Sequence, residues 1–301
     1  MISKHRLKAY IYLSLVAFIW GVAGPVIKFT LGGIPSLPFL AYRFGLSSIA
    51  SLITFKFISV KHIKISQWLL IIIYGLFAST FSLLFLFLGL EKTTMLDTAL
   101  ITTLNPLLIS TAGALIFKDK ITSREKLGTF IVVLGTIIAV IQPLLEKENL
   151  SQLQGNIFVV FYLLTNTIAA LLAKKLTKMD ISPIFVANLS FIIGFLTILP
   201  LAILKYPNTI SSIVQLDIKY HLGVWFMALM SGNLAYTLWV RGQKSIEISE
   251  ASLFTYLQLL FSTPLAIIWL GEKTNPTFLV GAFLILTGVI IAETKKRTSE
   301  L

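Results

Sequence analysis

Apolar residues run through this chain in blocks of about 20, separated by short polar clusters. The blocks fall at roughly 9–31, 35–57, 67–90, 96–117, 126–145, 154–173, 182–204, 220–240, 248–270 and 276–292. Each is long enough for a helix to cross a hydrocarbon core of ~30 Å. Backbone inside a bilayer must satisfy its own hydrogen bonds, so the pattern predicts an all-α membrane protein with ten transmembrane helices. The connections are short. The longest, Lys205 to Lys219, contains Tyr206-Pro207-Asn208-Thr209 and predicts a turn. The first block continues to Leu31, so it is expected to be a retained span rather than a cleaved leader.

One stretch occurs twice. Asp97 to Lys120 and Glu250 to Lys273 each open on an acid followed by small residues, carry a proline inside an apolar helix, and close on an acid-lysine pair. A shift of 153 positions places Asp97 on Glu250, Asp119 on Glu272, Gly128 on Gly281 and Gly135 on Gly288. The early helices match more loosely, at a shift of 145 that carries Arg43 onto Asn188. Two repeats follow, 1–147 and 148–301, with five helices each. Five is odd, so the second repeat enters the membrane from the opposite side. The expected architecture is two inverted five-helix repeats, an arrangement that places a transport site near the midplane, where the halves meet.

Composition sharpens this. The chain is 56% hydrophobic and 13% charged, with no cysteine, which excludes disulfide and thiolate chemistry. Its net charge of +12 is distributed by side. Of 25 Lys and Arg, 18 fall on the side of the N-terminus, 5 on the other, and Lys28 and Arg43 inside spans. That bias predicts both termini in the cytoplasm of a cell whose inner membrane holds the protein. The basic residues read as orientation signals and contacts to membrane lipid, with no nucleic-acid partner.

The chain resembles the EamA-like family of the drug/metabolite transporter superfamily over essentially its whole length. The likeness is carried by Trp20-Gly21, Pro25 and Lys28 in the first helix, Arg43 in the second, and Ala99 and Pro106 before Phe117-Lys118-Asp119-Lys120. Ala251 before Leu270-Gly271-Glu272-Lys273 and the glycines after each acidic pair add to it. The resemblance implies a ten-helix transporter with a central cavity lined mainly by helices 1, 3, 4, 6, 8 and 9. It also implies export of amino acids, related metabolites or amphipathic compounds, with no cofactor and no metal. Gln258 stands near where the second repeat of that family often has proline, and Pro264 is displaced.

Polar residues inside apolar spans are the candidate site. Arg43, about eight residues inside its helix, is a costly buried charge suited to gripping a carboxylate, or it snorkels outward on its apolar stem. Asn105 and Gln258 hold equivalent places in the two repeats and are the leading cavity-lining pair, with Asn166 and Asn233 next. Each amide binds substrate or bridges helices. Trp20, Tyr74 and Tyr236 are the aromatics favoured for the pocket. Asp97 and Glu250 start helices 4 and 9, either as helix-end carboxylates or as gates, with Lys28 or Lys92 as partner of Asp97. Asp119 and Glu272 are expected to pair with neighbouring lysines. Pro106 and Pro264 remove backbone hydrogen bonds and are hinge candidates. The glycines spaced by seven serve packing or a homodimer contact.

No Asp, Glu or His stands near the middle of a span, which argues against a midplane carboxylate relay and against an intramembrane enzyme. The expected function is alternating-access export of a small molecule, an amino acid or a related amphipathic metabolite. The alternatives are import or exchange of another solute, such as a sugar or nucleotide derivative, or a scaffold without flux.

Overall fold

The computed structural model describes residues 4–56, 63–117, 122–145, 150–243 and 248–293, with backbone alone for 4, 5 and 248–253. Ten long helical segments follow one another. They are α1 (Lys4–Leu31), α2 (Ser36–Phe55), α3 (Ile65–Lys92), α4 (Met95–Phe117), α5 (Ser123–Leu145), α6 (Leu150–Lys178), α7 (Pro183–Lys205), α8 (218–243), α9 (Ile248–Ile268) and α10 (Pro276–Glu293). Eight of these are long and apolar enough to cross a membrane, and the apolar part of α9, Phe254–Ile268, is a shorter ninth. The remaining one, α8, carries Lys219, His221, Ser231, Asn233 and Arg241 and is less apolar.

The pairing of helices repeats itself under exchange of the two halves. Helix α1 packs on α8 and α9, and α6 packs on α3 and α4. Helix α2 packs on its own counterpart α7, and α5 on its counterpart α10. The α5–α10 crossing is built on glycine. A Cβ on Gly128 would meet the Gly288 carbonyl at 2.5 Å, and one on Gly281 would meet the Gly135 carbonyl at 3.4 Å. Exchanging the halves by 153 positions turns one of these contacts into the other, as a two-fold axis between the repeats requires. These glycines therefore serve close helix packing inside the molecule, one of the two roles expected of them.

The interior is filled by apolar side chains, with Phe39, Phe44, Phe87 and Leu13 fully buried. Large apolar residues such as Leu115, Leu204 and Ile268 face outward instead, as lipid contact demands. The face where α1 begins is called the near face below, and the face where it ends the far face.

Three local departures interrupt the regular helices. The segment between α7 and α8 is not a simple turn. Pro207 starts a short helix, Pro207–Ser211, followed by a 3-10 turn, Ile213–Gln215. A proline with no N–H to satisfy suits the first position of a helix as well as it suits a turn. Helix α4 breaks between Thr102 and Asn105, where Thr103 and Leu104 bond back only three residues. Pro106 has no amide to offer there, and the Thr102 and Thr103 hydroxyls donate to the Ala99 carbonyl at 3.1 and 2.9 Å. Helices α3 and α8 each contain a π-helical stretch, Leu76–Phe81 and Phe226–Leu234. A shift of 153 places the first inside the second.

Candidate functional site

A π-helical stretch widens the hydrogen-bonding ring by one residue and turns carbonyls out of line, which is why such stretches gather at functional sites. In α8 three of these carbonyls accept from side chains of the first repeat. Trp20 Nε1 donates to Ser231 O at 3.0 Å, Arg43 Nε to Met227 O at 3.1 Å, and Ser47 Oγ to Ala228 O at 3.1 Å. Asn233 extends the seam. Its Nδ2 donates to Asn188 Oδ1 at 3.0 Å, to Ser51 Oγ at 3.2 Å and to Ser47 O at 3.3 Å. The α3 stretch is held against α7 by hydroxyl pairs instead, Ser79 Oγ to Ser190 Oγ at 2.9 Å and Thr80 to Thr197 at 2.7 Å. Polar side chains of each half thus grip the irregular helix of the other.

Arg43 sits where these seams converge. It is 2% exposed, lies within 5.8 Å of the Phe44 and Phe87 ring centroids, and keeps Nη1 buried without a partner. Tyr236 lies within electrostatic reach of Arg43, Tyr74 and Tyr162. Tyr236 also meets Trp20 and Phe191 edge-on, at centroid distances of 5.4 and 5.8 Å. The result is a central group in which Arg43 and Phe44 of α2, Phe191 of α7, Tyr236 of α8 and Trp20 of α1 adjoin one another. Arg43 does not snorkel; its buried guanidinium is fixed by the Met227 carbonyl.

Asn105 and Asn166 meet at the α4–α6 contact, where Asn105 Nδ2 donates to Asn166 Oδ1 at 3.2 Å and Asn105 Oδ1 stays buried and unpaired. Gln258 occupies the equivalent contact of α9 with α1, and its backbone carbonyl would lie 2.8 Å from a Cβ on Gly21. Pro264 lies within an unbroken α9, unlike Pro106 in α4. The Glu250 side chain lies outside the described residues.

The far face carries a polar network that spans both repeats. Lys28 Nζ donates to the Leu90 and Thr93 carbonyls at 2.7 and 2.6 Å, which caps the end of α3. Glu272 accepts from the Met95 and Leu96 amides at 2.7 and 2.8 Å, which caps the start of α4. Each charge meets the helix end of opposite sign. Gly271, at φ 69°, turns the end of α9 so that Glu272 can reach across. Glu272 therefore does not pair with the neighbouring Lys273, as its sequence context predicts. Asp97, 1% exposed, pairs with neither Lys28 nor Lys92. Its Oδ2 accepts from Gln152 Nε2 at 2.9 Å, from Thr93 Oγ1 at 3.3 Å and from Asn156 Nδ2 at 3.5 Å. The start of α6 crosses the start of α4 and brings these amides closer than either lysine.

Comparison with known proteins decides the family. The model of the EamA-like transporter family matches twice, over residues 7–141 and 153–294. The chain belongs to the EamA-like transporter family. An uncharacterized transporter of Bacillus subtilis (strain 168), YyaM, is 29% identical over 96% of this chain and 94% of its own length. An uncharacterized transporter of Archaeoglobus fulgidus is 22% identical over 96% of this chain and 100% of its own. A chain of known crystal structure covers 97% of this one and 98% of itself, with a TM-score of 0.64 and 14% identity, a likeness of fold.

For this EamA-like transporter, three positions of the far-face network were not found from the sequence: Gln152 and Asn156, which hold Asp97, and Glu272, whose sequence context predicts pairing with a neighbouring lysine. One signal was available for Glu272. The Gly271-Glu272 pair follows the last apolar turn of α9, and such a glycine reverses the chain.

Proposed function

We propose that this EamA-like transporter exports amino acids or related small amphipathic metabolites by alternating access. Repeats 1–147 and 148–301 rock against each other in the cell inner membrane, with both termini cytoplasmic. The observation that carries this reading is the far-face contact made by Glu272. A carboxylate of one repeat holds two backbone amides of the other through bonds that can break and re-form, and the polar centre lies behind it. Alternating access needs such a reversible contact across the halves. A few placed polar groups in an apolar interior suit an amphipathic solute. A nucleotide would call for several buried cations, and Lys28 already serves the α3 carbonyls.

The test is counterflow in proteoliposomes loaded with single amino acids and related metabolites. Saturable exchange of at least one amino acid is expected, with flux reduced in Asn105→Ala and Gln258→Ala. Saturable ligand binding without counterflow of any loaded solute overturns the transport reading and favours a scaffold.

A further inference from the structure

We propose that Arg43 is the anion-binding residue of the central site and that the solute carried is bound through a carboxylate. This rests on the transport reading above and names the residue and the solute group through which binding occurs. Arg43 is the charge nearest the middle of any span, and no carboxylate among the described residues pairs with it. A buried cation is tolerated when it is paired and hydrogen-bonded. Here one bond, from Nε to Met227 O, is made within the protein. The Phe44 and Phe87 rings stand beside the guanidinium and supply no counter-charge. Nη1 is left buried with its donors unused. Tyr236, packed on Phe191 next to Phe44, stands on the same side of the interior and brings a phenolic O–H.

The missing partner is thus an anion that accepts from the free guanidinium edge. A carboxylate on a small apolar body has that chemistry. The aromatic surroundings, with Trp20 and Phe191 edge-on to Tyr236, suit the apolar part of such a molecule. Because Nε is bonded to a carbonyl of the α8 π-helical stretch, a bound anion pulls on the same guanidinium that joins α2 to α8. Occupancy of the site is thereby linked to the seam between the repeats.

The experiment compares acid and amide of one shape, phenylacetate with phenylacetamide and L-phenylalanine with L-phenylalaninamide. Binding to the purified full chain is read by tryptophan fluorescence and thermal shift. The acids are expected to bind at least ~10-fold tighter than the amides, consistent with a charge-assisted contact. Arg43→Gln should erase that preference, and Arg43→Lys should keep part of it. Equal binding of acid and amide, no binding of either acid, or a preference that survives Arg43→Gln overturns the proposal. If Arg43→Gln does not fold, the acid-to-amide ratio of the unaltered protein decides alone. Acid-selective binding without flux removes the transport reading and leaves this site standing. Flux that is equal for acids and amides does the reverse.

Discussion

Asp97 and Glu272 are both acids at the far face, yet they do different work. Asp97 is buried and satisfied by Gln152, Thr93 and Asn156, all neutral. Asp97→Ala takes the acceptor from Gln152, while Asn156 keeps the Ala139 and Val140 carbonyls and Thr93 keeps Asn156 Oδ1, and a loss of ~1–3 kcal/mol for a group left unsatisfied is typical. A clear drop in melting temperature is expected, with Asp97→Asn milder. Glu272 lies outside the spans, and burial raises its carboxyl above the ordinary value of about 4.5, although the Met95 and Leu96 amides and Lys28 draw it back. The closed form therefore binds a proton more tightly than a form in which Glu272 meets water. Closure is favoured below the ordinary value, and this advantage is lost as pH rises through the raised one. The native chain has no cysteine, so a cysteine placed at Asn105 can report far-face access by maleimide labelling. Its labelling relative to the same cysteine in Glu272→Gln should rise with pH across the carboxylate range. A flat ratio would contradict the assignment.

The ten helices were legible because apolar runs of span length have few other uses, and the ends came within a few residues. The break in α4 was legible at Pro106. The π-helical stretches were not, since Leu76–Phe81 and Phe226–Leu234 read as ordinary apolar helix, and the extra residue per ring leaves no compositional mark. Arg43, Asn233, Trp20 and Tyr236 could be singled out as polar or aromatic groups in spans. That they converge on α8 carbonyls depends on tertiary packing. The consequence for α8 can be tested. Deleting Ala228 should restore regular α-helical bonding through the stretch and withdraw the out-of-line carbonyls to which Trp20, Arg43 and Ser47 donate. Flux should vanish while the protein still inserts; near-native flux would mean the stretch has no functional part. The glycine pair gives a second test. Gly128→Ala places a Cβ 2.5 Å from the Ala292 amide nitrogen, whereas Gly281→Ala meets nothing nearer than 3.4 Å. Overpacking of the first kind costs ~1–3 kcal/mol, so Gly128→Ala should melt several degrees lower and Gly281→Ala should melt near the parent. Equal effects would contradict the described crossing.

At the scale of the whole molecule, each half supplies what the other lacks. Helix α2 lies on α7 and α5 on α10, while the side chains that fix the α8 stretch come from α1 and α2. Neither five-helix half buries its polar seam alone. Residues 1–147 expressed without the rest are expected to be degraded or to aggregate, and co-expression with 148–301 should restore a folded complex on native gels. A stable, monodisperse first half would show that the seam is dispensable.

A body with a perfect dyad would spend equal time open to either side, and neither orientation would be its rest. The α5–α10 crossing departs from that symmetry: a Cβ on Gly128 would lie 2.5 Å from Gly288 O, and one on Gly281 3.4 Å from Gly135 O. A pseudo-symmetric molecule with unequal crossings has no reason to weight its two orientations equally.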